Sequence, residues 1–299
     1  MHLKKSCLLL PLAAAASLLT ACGGGSAGTG TMNLGVTDAA VDGAAKVVVE
    51  FTGVELKPQG GAAIQFTLPA PRQIDLLNLN GGGSAELLQA VGIPAGTYNY
   101  IRLQLNAEGN AANSYIELLD GSISALRIPS GEQRGVQLNG QFVVPDGGIA
   151  NFVIDFDLRK SVRNPPGQNG DYLLRPTVRI VNSDAVGTIS GSIANERVAV
   201  EGCTPAVYVY AGSNYLPGDE GSATAPLTSA LVSLDETSGS YRYTAAFLPP
   251  GNYTVAYTCA AALDSPDSDD DIVFESPTNA TVSTDVTTTV DFAVVTPAP

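Results

Sequence analysis

The sequence contains no tryptophan and a single histidine, His2. Because His2 lies in an N-terminal segment that we expect to be removed, the mature chain lacks a histidine for Ser-His-Asp or Cys-His catalysis and for a histidine-based zinc site. A GxxxxGK[ST] loop is missing, and so is a GxGxxG motif between a strand and a helix. The sequence therefore offers no nucleotide site and disfavours most enzyme classes.

Basic residues are scarce, with 15 Lys and Arg against 29 Asp and Glu, which gives a formal net charge of −14. A chain of this charge repels phosphate backbones, so we predict no nucleic-acid partner. An acidic surface is typical of a soluble body outside the cell.

The N-terminal segment has the three-part layout of a secretory signal peptide. Lys4 and Lys5 precede an apolar run over residues 7–19, and small residues follow. The run is shorter than the ~20 residues that span a bilayer, and Pro11 interrupts it, so a membrane-spanning helix is disfavoured. We predict a signal peptide over residues 1–21.

Residues 19–22, Leu-Thr-Ala-Cys, resemble the lipobox of bacterial lipoproteins. The resemblance implies that Cys22 is lipidated and begins the mature chain, with residues 22–31 as a Gly- and Ser-rich tether. The membrane is then a partner through Cys22. The absence of Asp after Cys22 resembles outer-membrane sorting, so the expected location is the outer membrane, facing the periplasm or the cell surface. The alternative is an ordinary signal peptide with a chance cysteine.

Four cysteines are present, and Cys7 and Cys22 belong to the N-terminal region, which leaves Cys203 and Cys259. Two cysteines in an exported chain favour a disulfide over a metal site. An unstrained bridge would stabilise the fold by roughly 4 kcal/mol in the chain-entropy model. Two separate buried thiols are the alternative.

Short apolar or alternating segments, separated by Gly and Pro turns, predict strands along most of the chain. The pattern pauses near residues 182–185, so we predict domains over residues 32–185 and 186–295 and a tail at 296–299. The predicted fold class is all-β, with two antiparallel β-sandwich domains in tandem. Residues 94–98 and 249–253 share a Pro-x-Gly-x-Tyr pattern, which predicts the same turn into a strand in both halves. The predicted strands cover residues 46–52, 54–56, 64–68, 73–79, 98–105, 115–119, 124–128, 135–144, 150–157, 172–181, 187–193, 206–210, 230–234, 240–247, 253–259 and 285–294.

One short helix is predicted over residues 85–91. Ser84 is suited to cap it, and Gly92 with Pro94 is suited to end it.

Residues 37–40 and 98–103 of the first predicted domain read Thr-Asp-Ala-Ala and Tyr-Asn-Tyr-Ile-Arg-Leu. These two segments resemble the DUF4382 family of bacterial and archaeal domains. Residues 37–40, Thr-Asp-Ala-Ala, match its Thr-Asp-Ala-Pro type motif, with Ala40 in place of Pro. Residues 98–103, Tyr-Asn-Tyr-Ile-Arg-Leu, match its Tyr-Thr-Gln-Ile-Arg-Leu type motif, with Asn99 and Tyr100 as departures. The resemblance implies a β-sandwich-like exported domain and brings no known catalytic residue.

In the second predicted domain, residues 187–193 read Gly-Thr-Ile-Ser-Gly-Ser-Ile and residues 248–255 read Leu-Pro-Pro-Gly-Asn-Tyr-Thr-Val. These segments resemble the carboxypeptidase-regulatory-like, or prealbumin-like, modules of surface proteins. Residues 187–193 match the opening strand of those modules, and residues 248–255 match their proline-glycine strand. The resemblance implies a stalk, a scaffold or a binding module.

Asp155 and Asp157 lie two residues apart on a predicted strand, so their side chains share a face about 7 Å apart. Glycoside hydrolases use paired carboxylates at comparable separations. No tryptophan accompanies the pair for sugar stacking, which favours a solvated strand face, paired with Arg159 or Lys160.

Asp38, Arg102 and Asp155 are polar residues within strand-like segments that resemble the family. Because buried charges need partners, we predict an internal polar network, with a binding surface as the alternative.

The densest acidic run covers residues 264–271. Calcium prefers six to eight hard oxygen ligands, and Asp267, Asp269 and Asp271 are candidate ligands. The spacing does not fit an EF-hand, and a solvated acidic loop is the favoured alternative.

Together these features predict a lipid-anchored, non-catalytic binding, adhesion or structural module of the cell envelope, whose partner is an envelope protein or a polysaccharide. The alternatives are a carbohydrate-binding or carbohydrate-active protein that uses carboxylates, and a calcium-dependent adhesion module. No cofactor other than calcium is predicted.

Overall fold

The computed structural model describes residues 28–39, 43–128, 135–164 and 170–294. The signal peptide at 1–21, Cys22 and the tail at 296–299 lie outside the described residues. Strands dominate the described part, which confirms the all-β fold class. None of its helices is both long enough and apolar enough to cross a membrane.

The first sandwich includes a one-turn helix, α1 (Leu158–Ser161), which follows its ninth strand. Its strands are β1 (Thr29–Ala39), β2 (Ala44–Pro58), β3 (Ile64–Asp75), β4 (Ala85–Pro94), β5 (Gly96–Leu105), β6 (Tyr115–Leu118), β7 (Ile123–Arg127), β8 (Val136–Val144), β9 (Ile149–Asp157), β10 (Val162–Arg163), β11 (Tyr172–Leu174) and β12 (Val178–Asn182).

Two sheets form this first sandwich within the described residues. One has the order β12-β9-β1-β4, and the other has the order β10-β11-β7-β6-β2-β5-β8, with β3 also paired to β2. Side chains from both sheets form one buried apolar cluster. Phe51 of β2 and Phe156 of β9 meet edge to face across it, with ring centroids 6.2 Å apart. Burial of each ring contributes about 1.5–3 kcal/mol.

The second sandwich includes a second one-turn helix, α2 (Asn195–Val198). Its strands are β13 (Gly187–Ile193), β14 (Ala206–Ala211), β15 (Thr228–Leu231), β16 (Ser233–Asp235), β17 (Ser240–Leu248), β18 (Gly251–Thr258), β19 (Glu275–Val282) and β20 (Thr287–Thr289).

Its sheets have the orders β16-β17-β13-β20 and β15-β14-β18-β19. Ile189, Val209, Val255 and Phe292 belong to the cluster buried between them. No apolar cluster in the described part mixes buried residues from before and after residue 186. The predicted boundary falls between β12 and β13.

Most strand pairs are antiparallel, but both sandwiches also contain parallel pairs. The first strand of each sandwich pairs parallel with a later one, β1 with β9 and β13 with β20. In the first sandwich, β7 and β11 are parallel as well. Sequence alternation identifies a strand but carries no information about the direction of its neighbour.

The helix predicted over residues 85–91 is wrong, because these residues lie in β4 and pair antiparallel with β1. Ala, Glu, Leu and Gln favour a helix locally, but the pairing with β1 and the burial of Leu87 and Leu88 outweigh that preference. Ala90 has a φ of +49°, and its N–H donates to Asn33 Oδ1 at 2.7 Å. This local kink interrupts the alternation that would have marked a strand.

Other strand predictions also differ from the structure. The strand predicted over residues 172–181 is divided into β11 and β12, and β1 was not predicted. The strand predicted over residues 73–79 ends at Asp75, whose carboxylate accepts from Leu77 N at 3.2 Å and caps the 3₁₀ segment Leu76–Gly82. The strand predicted over residues 285–294 is reduced to β20. β19 was not predicted, because its sequence is polar and only Ala280 and Val282 are buried.

The Pro-x-Gly-x-Tyr segments form the predicted turn in both sandwiches. Tyr98 Oη donates to the carbonyl oxygen of Pro94 at 2.8 Å, and Tyr253 Oη donates to that of Pro249 at 2.7 Å. In each case the ring is buried and the hydroxyl closes the turn that precedes its strand.

Cys203 and Cys259 form the predicted disulfide, with Cα atoms 4.6 Å apart. Cys203 precedes β14 and Cys259 follows β18, which are neighbouring antiparallel strands. Thr204 N donates to the carbonyl oxygen of Cys259 at 2.8 Å. The bridge therefore closes one end of the β14–β18 pair.

We expect Phe51→Ala to lower the free energy of unfolding by about 3–5 kcal/mol, because it leaves a cavity where the two sheets of the first sandwich meet. Val143→Ala is the matched control, because Val143 is 60% exposed and its truncation is expected to cost less than about 0.5 kcal/mol. Urea unfolding followed by circular dichroism measures both. Equal losses would contradict the placement of the core.

Candidate functional site

The contact between the two sandwiches is built around two basic side chains of α1. Asp157 ends β9 and caps this helix, since its Oδ1 accepts from Lys160 N at 3.2 Å. The cap directs Arg159 and Lys160 out of the first sandwich and into the second. We call Asp157, Arg159, Lys160 and their partner Glu220 the ionic interface.

Arg159 is buried, with 4% of its surface exposed. Its Nε donates to Ser229 Oγ at 3.2 Å, and its Nη1 donates to the carbonyl oxygen of Ala261 at 3.1 Å. Its guanidinium carbon lies 5.5 Å from the ring centroid of Tyr208, a cation–π contact. One side chain of the first sandwich thus contacts three separate segments of the second.

Lys160 contacts two carboxylates and one carbonyl. Its Nζ lies 2.9 Å from Glu220 Oε2 and 3.4 Å from Asp157 Oδ2, and it donates to the carbonyl oxygen of Pro226 at 2.6 Å. Burial lowers the pKa of Lys160, but the charges of Asp157 and Glu220 outweigh it, so the pKa is raised overall. The ammonium remains charged.

For Glu220, the effect of burial on the pKa is larger than the effect of the neighbouring ammonium. Burial, followed by repulsion from Asp157, raises the pKa of Glu220 to about 8, against the attraction of Lys160. A single ammonium is shared by two buried carboxylates, and the second carboxylate is most easily neutralised by a proton. The ionic interface is therefore sensitive to pH near neutrality.

Asp155 and Asp157 share a strand, as predicted, but the solvated face expected for them is wrong, because their residues are only 6% and 8% exposed. Asp155 Oδ2 accepts from Arg179 Nε at 2.6 Å. Burial raises the pKa of Asp155, and Arg179 opposes the rise. Asp157 pairs with Lys160, as the sequence suggested.

The three residues predicted to form one polar network are divided between two places. Asp38 and Asp155 line a cavity of about 150 Å³ between the sandwiches. Arg102 lies in the other sheet of the first sandwich, where Nη1 donates to Glu55 Oε1 at 2.6 Å and the guanidinium carbon is 5.1 Å from the Tyr100 ring centroid. Arg102 is on β5 and Asp155 on β9, two strands that belong to different sheets.

The acidic run is also divided. Asp267 and Asp269 are exposed, as is Asp271, and Asp267 Oδ1 lies 3.2 Å from Arg163 Nε. Two other members of the run, Asp264 and Asp270, turn inward toward Asp219. We call Asp219, Asp264 and Asp270 the acidic cluster. Sequence reasoning missed Asp219, which precedes Glu220 in a segment of irregular structure between β14 and β15.

The predicted resemblance of the first sandwich to a known family is confirmed over just under half of the chain. Residues 29–176 match the DUF4382 family, a domain of unknown function. The match covers both motifs that carried the resemblance, as well as α1 with its two basic residues. The DUF4382 domain thus supplies the basic side of the ionic interface. The resemblance of residues 186–295 to carboxypeptidase-regulatory-like modules stays a prediction.

Comparisons with solved structures give only distant similarity. A leucine-rich repeat protein from Bacteroides thetaiotaomicron is 14% identical, with a TM-score of 0.22, over 89% of this chain and 26% of that one, so this chain spans about a quarter of its length. The major pilin subunit of Bacillus cereus is 10% identical (TM-score 0.20; 88% of this chain, 99% of that one). A minor pilin of Streptococcus agalactiae is 11% identical (TM-score 0.19; 90% and 98%). These TM-scores are too low to support an argument about the fold. The fold is established by the strand pairing described above. A search of curated proteins finds no match.

We expect the wild type to lose stability relative to Glu220→Gln as the pH rises from about 5 to 8. The pKa of Glu220 is raised to about 8 by folding, so between these values the folded state holds a proton that the unfolded state has released. Stability then falls with rising pH, by up to about 1.4 kcal/mol per pH unit. Gln cannot ionise and should remove this slope.

Chemical denaturation at several pH values measures the difference between the two proteins. Glu117→Gln is the control, because Glu117 pairs with Lys46 at the surface and should leave the slope unchanged. If the wild type gained stability over this pH range relative to Glu220→Gln, the claim that Glu220 is protonated in the folded state would be contradicted.

Proposed function

We propose that the chain is a non-catalytic structural or binding module of the cell envelope, anchored by lipid at Cys22 and presenting its two sandwiches as one rigid unit. The observation that supports it best is the ionic interface. Two basic side chains of the DUF4382 domain, one buried and one half-buried, contact Ser229, Glu220 and Ala261 of the second sandwich. A buried, charged contact of this kind fixes orientation, as a support or a presenting scaffold requires.

Asp155 and Asp157, the candidate catalytic carboxylates, both form ion pairs within the fold. Asp155 is bonded to Arg179, and Asp157 both caps α1 and pairs with Lys160. The cavity beside Asp155 measures about 150 Å³, below the ~300–1,000 Å³ typical of ligand sites. These facts favour a module over a glycosidase, and we expect no sugar release from envelope polysaccharide by the wild type or by Asp155→Asn.

The outer membrane is the proposed location, with the second sandwich as a prealbumin-like module. Tethering at the membrane raises the local concentration of the module near an envelope protein or polysaccharide. Protease treatment of intact cells distinguishes the cell surface from the periplasm, and crosslinking from the same cells identifies the partner.

We expect Cys22→Ala to move the chain from the membrane pellet to the soluble fraction. Each buried methylene of an acyl chain contributes about 0.8 kcal/mol, and two or three chains hold a protein stably. Fractionation with a salt wash, followed by immunoblotting, measures the change. Ser26→Ala lies in the same tether and should stay in the pellet. Membrane retention of Cys22→Ala would refute the anchor.

We expect Lys160→Met to uncouple the two sandwiches. The variant leaves Asp157 and Glu220 buried without their ammonium, at a cost of about 3 kcal/mol. Differential scanning calorimetry should then resolve two transitions, and limited proteolysis should cut between β12 and β13, at residues 183–186. Lys46→Met removes an exposed ion pair with Glu117 and should leave both readouts unchanged. Identical behaviour of the two variants would contradict a rigid unit.

A further inference from the structure

The acidic cluster lies in the second sandwich, where two loops meet. Asp219 belongs to the segment between β14 and β15, and Asp264 and Asp270 belong to the segment between β18 and β19. One carboxylate oxygen from each residue lies within 4.8 Å of the others. This is the spacing of ligands around a common ion.

Donors already fix the orientation of each carboxylate. Asp264 Oδ2 accepts from Tyr208 Oη at 2.6 Å, and its Oδ1 accepts from Glu220 N at 3.1 Å. Asp270 Oδ2 accepts from Ser265 N at 2.7 Å. Asp219 Oδ2 accepts from Asp270 N at 2.9 Å, which joins the two loops directly. The cluster is therefore held in place before any ion binds.

The second oxygen of Asp219 is different. Asp219 is 2% exposed, and no donor in the described part of the chain lies within hydrogen-bond distance of its Oδ1. A buried carboxylate oxygen without a partner loses its hydration and gains nothing in return, which costs several kcal/mol in general. With two further carboxylates beside it, this oxygen is suited to a cation.

The positive charge nearby is already engaged. Arg159 attracts Asp264, but its Nη1 is bonded to Ala261 and its guanidinium lies over Tyr208. Lys160 is held by Asp157 and Glu220. The cluster therefore keeps an excess of negative charge.

We propose that Asp219, Asp264 and Asp270 bind one calcium ion, with Asp219 Oδ1 as the central ligand. Every donor is a hard oxygen, which calcium and magnesium prefer. The carboxylates come from irregular loops and keep their hydrogen bonds, so they suit the flexible coordination of calcium better than the strict octahedron of magnesium. These are not the residues expected from the sequence, Asp267, Asp269 and Asp271.

The ion has a structural role at this place. It ties the β14–β15 segment to the β18–β19 segment, and both segments contact the first sandwich through Lys160 and Arg159. The backbones are already close, because a Cβ at Gly221 would overlap the carbonyl oxygen of Ser268. Calcium thus stabilises the surface against which α1 packs.

The test compares the purified full-length chain, stripped of metal with EDTA, with and without CaCl₂. At about 100 times the dissociation constant, calcium should raise the melting temperature by roughly 5–10 °C. Isothermal titration should give one ion per chain. Asp219→Asn should abolish both effects. Without metal it should melt at or above the wild-type temperature, because the Asn amide donates to the neighbouring carboxylates.

The matched control is the double variant Asp269→Asn with Asp271→Asn, which removes two charges from the same loop outside the cluster and should retain the calcium shift. Absence of a shift in the wild type would overturn the proposal. A shift that survives Asp219→Asn but is lost in the control would also overturn it, in favour of the exposed run. An equal shift with magnesium would overturn the assignment to calcium. The melting temperature without metal shows that Asp219→Asn is folded.

Discussion

The contact of the buried Arg159 and the half-buried Lys160 with the second sandwich is the interaction on which the arrangement of the rest depends. A one-turn helix such as α1 has no stability of its own, because nucleation costs more than a single turn returns. Asp157 caps it from one side, and Ser229, Glu220, Pro226 and Ala261 hold its basic side chains from the other. The end of the DUF4382 domain is therefore shaped by the sandwich that follows it, and the two are one structure at this point although their apolar clusters are separate.

This interaction changes what the acidic composition means. A net charge of −14 suggests a solvated surface, yet Glu55, Asp155, Asp157, Asp219 and Glu220 are all buried. Arg102 contacts Glu55, Arg179 contacts Asp155, and Lys160 contacts both Asp157 and Glu220. Buried charges are expensive unless they are paired, so several of the few basic residues are committed to internal partners. Part of the acidic excess is therefore buried inside the fold. The buried carboxylates outnumber the basic side chains that pair with them.

Most strands and the disulfide were predictable, because alternation, turn residues and cysteine number are local properties of the sequence. The strand conformation of residues 85–91 was not predictable, since it comes from pairing with β1, about 50–60 residues earlier. The site was predictable only in part. The pairing of Asp157 with Lys160 is local, whereas Glu220 lies 60 residues after Lys160 in the sequence. A weak indication existed: Leu-Arg-Lys-Ser directly follows a buried strand, where two basic residues need an acidic partner beyond the sheet.

The ionic interface and the acidic cluster share one scaffold, the β14–β18 pair closed by the Cys203–Cys259 bridge. The segments that follow these two strands carry the cluster, and the same segments supply Pro226, Glu220 and Ala261 to the basic residues of α1. Tyr208 connects the two features directly, because its ring lies under Arg159 and its hydroxyl donates to Asp264. The two loops therefore contact the first sandwich as well as each other. If the second sandwich were separated from α1, its strands, its disulfide and the hydrogen bond that joins Asp219 to Asp270 would remain, but its loops would lose their contacts with Lys160 and Arg159.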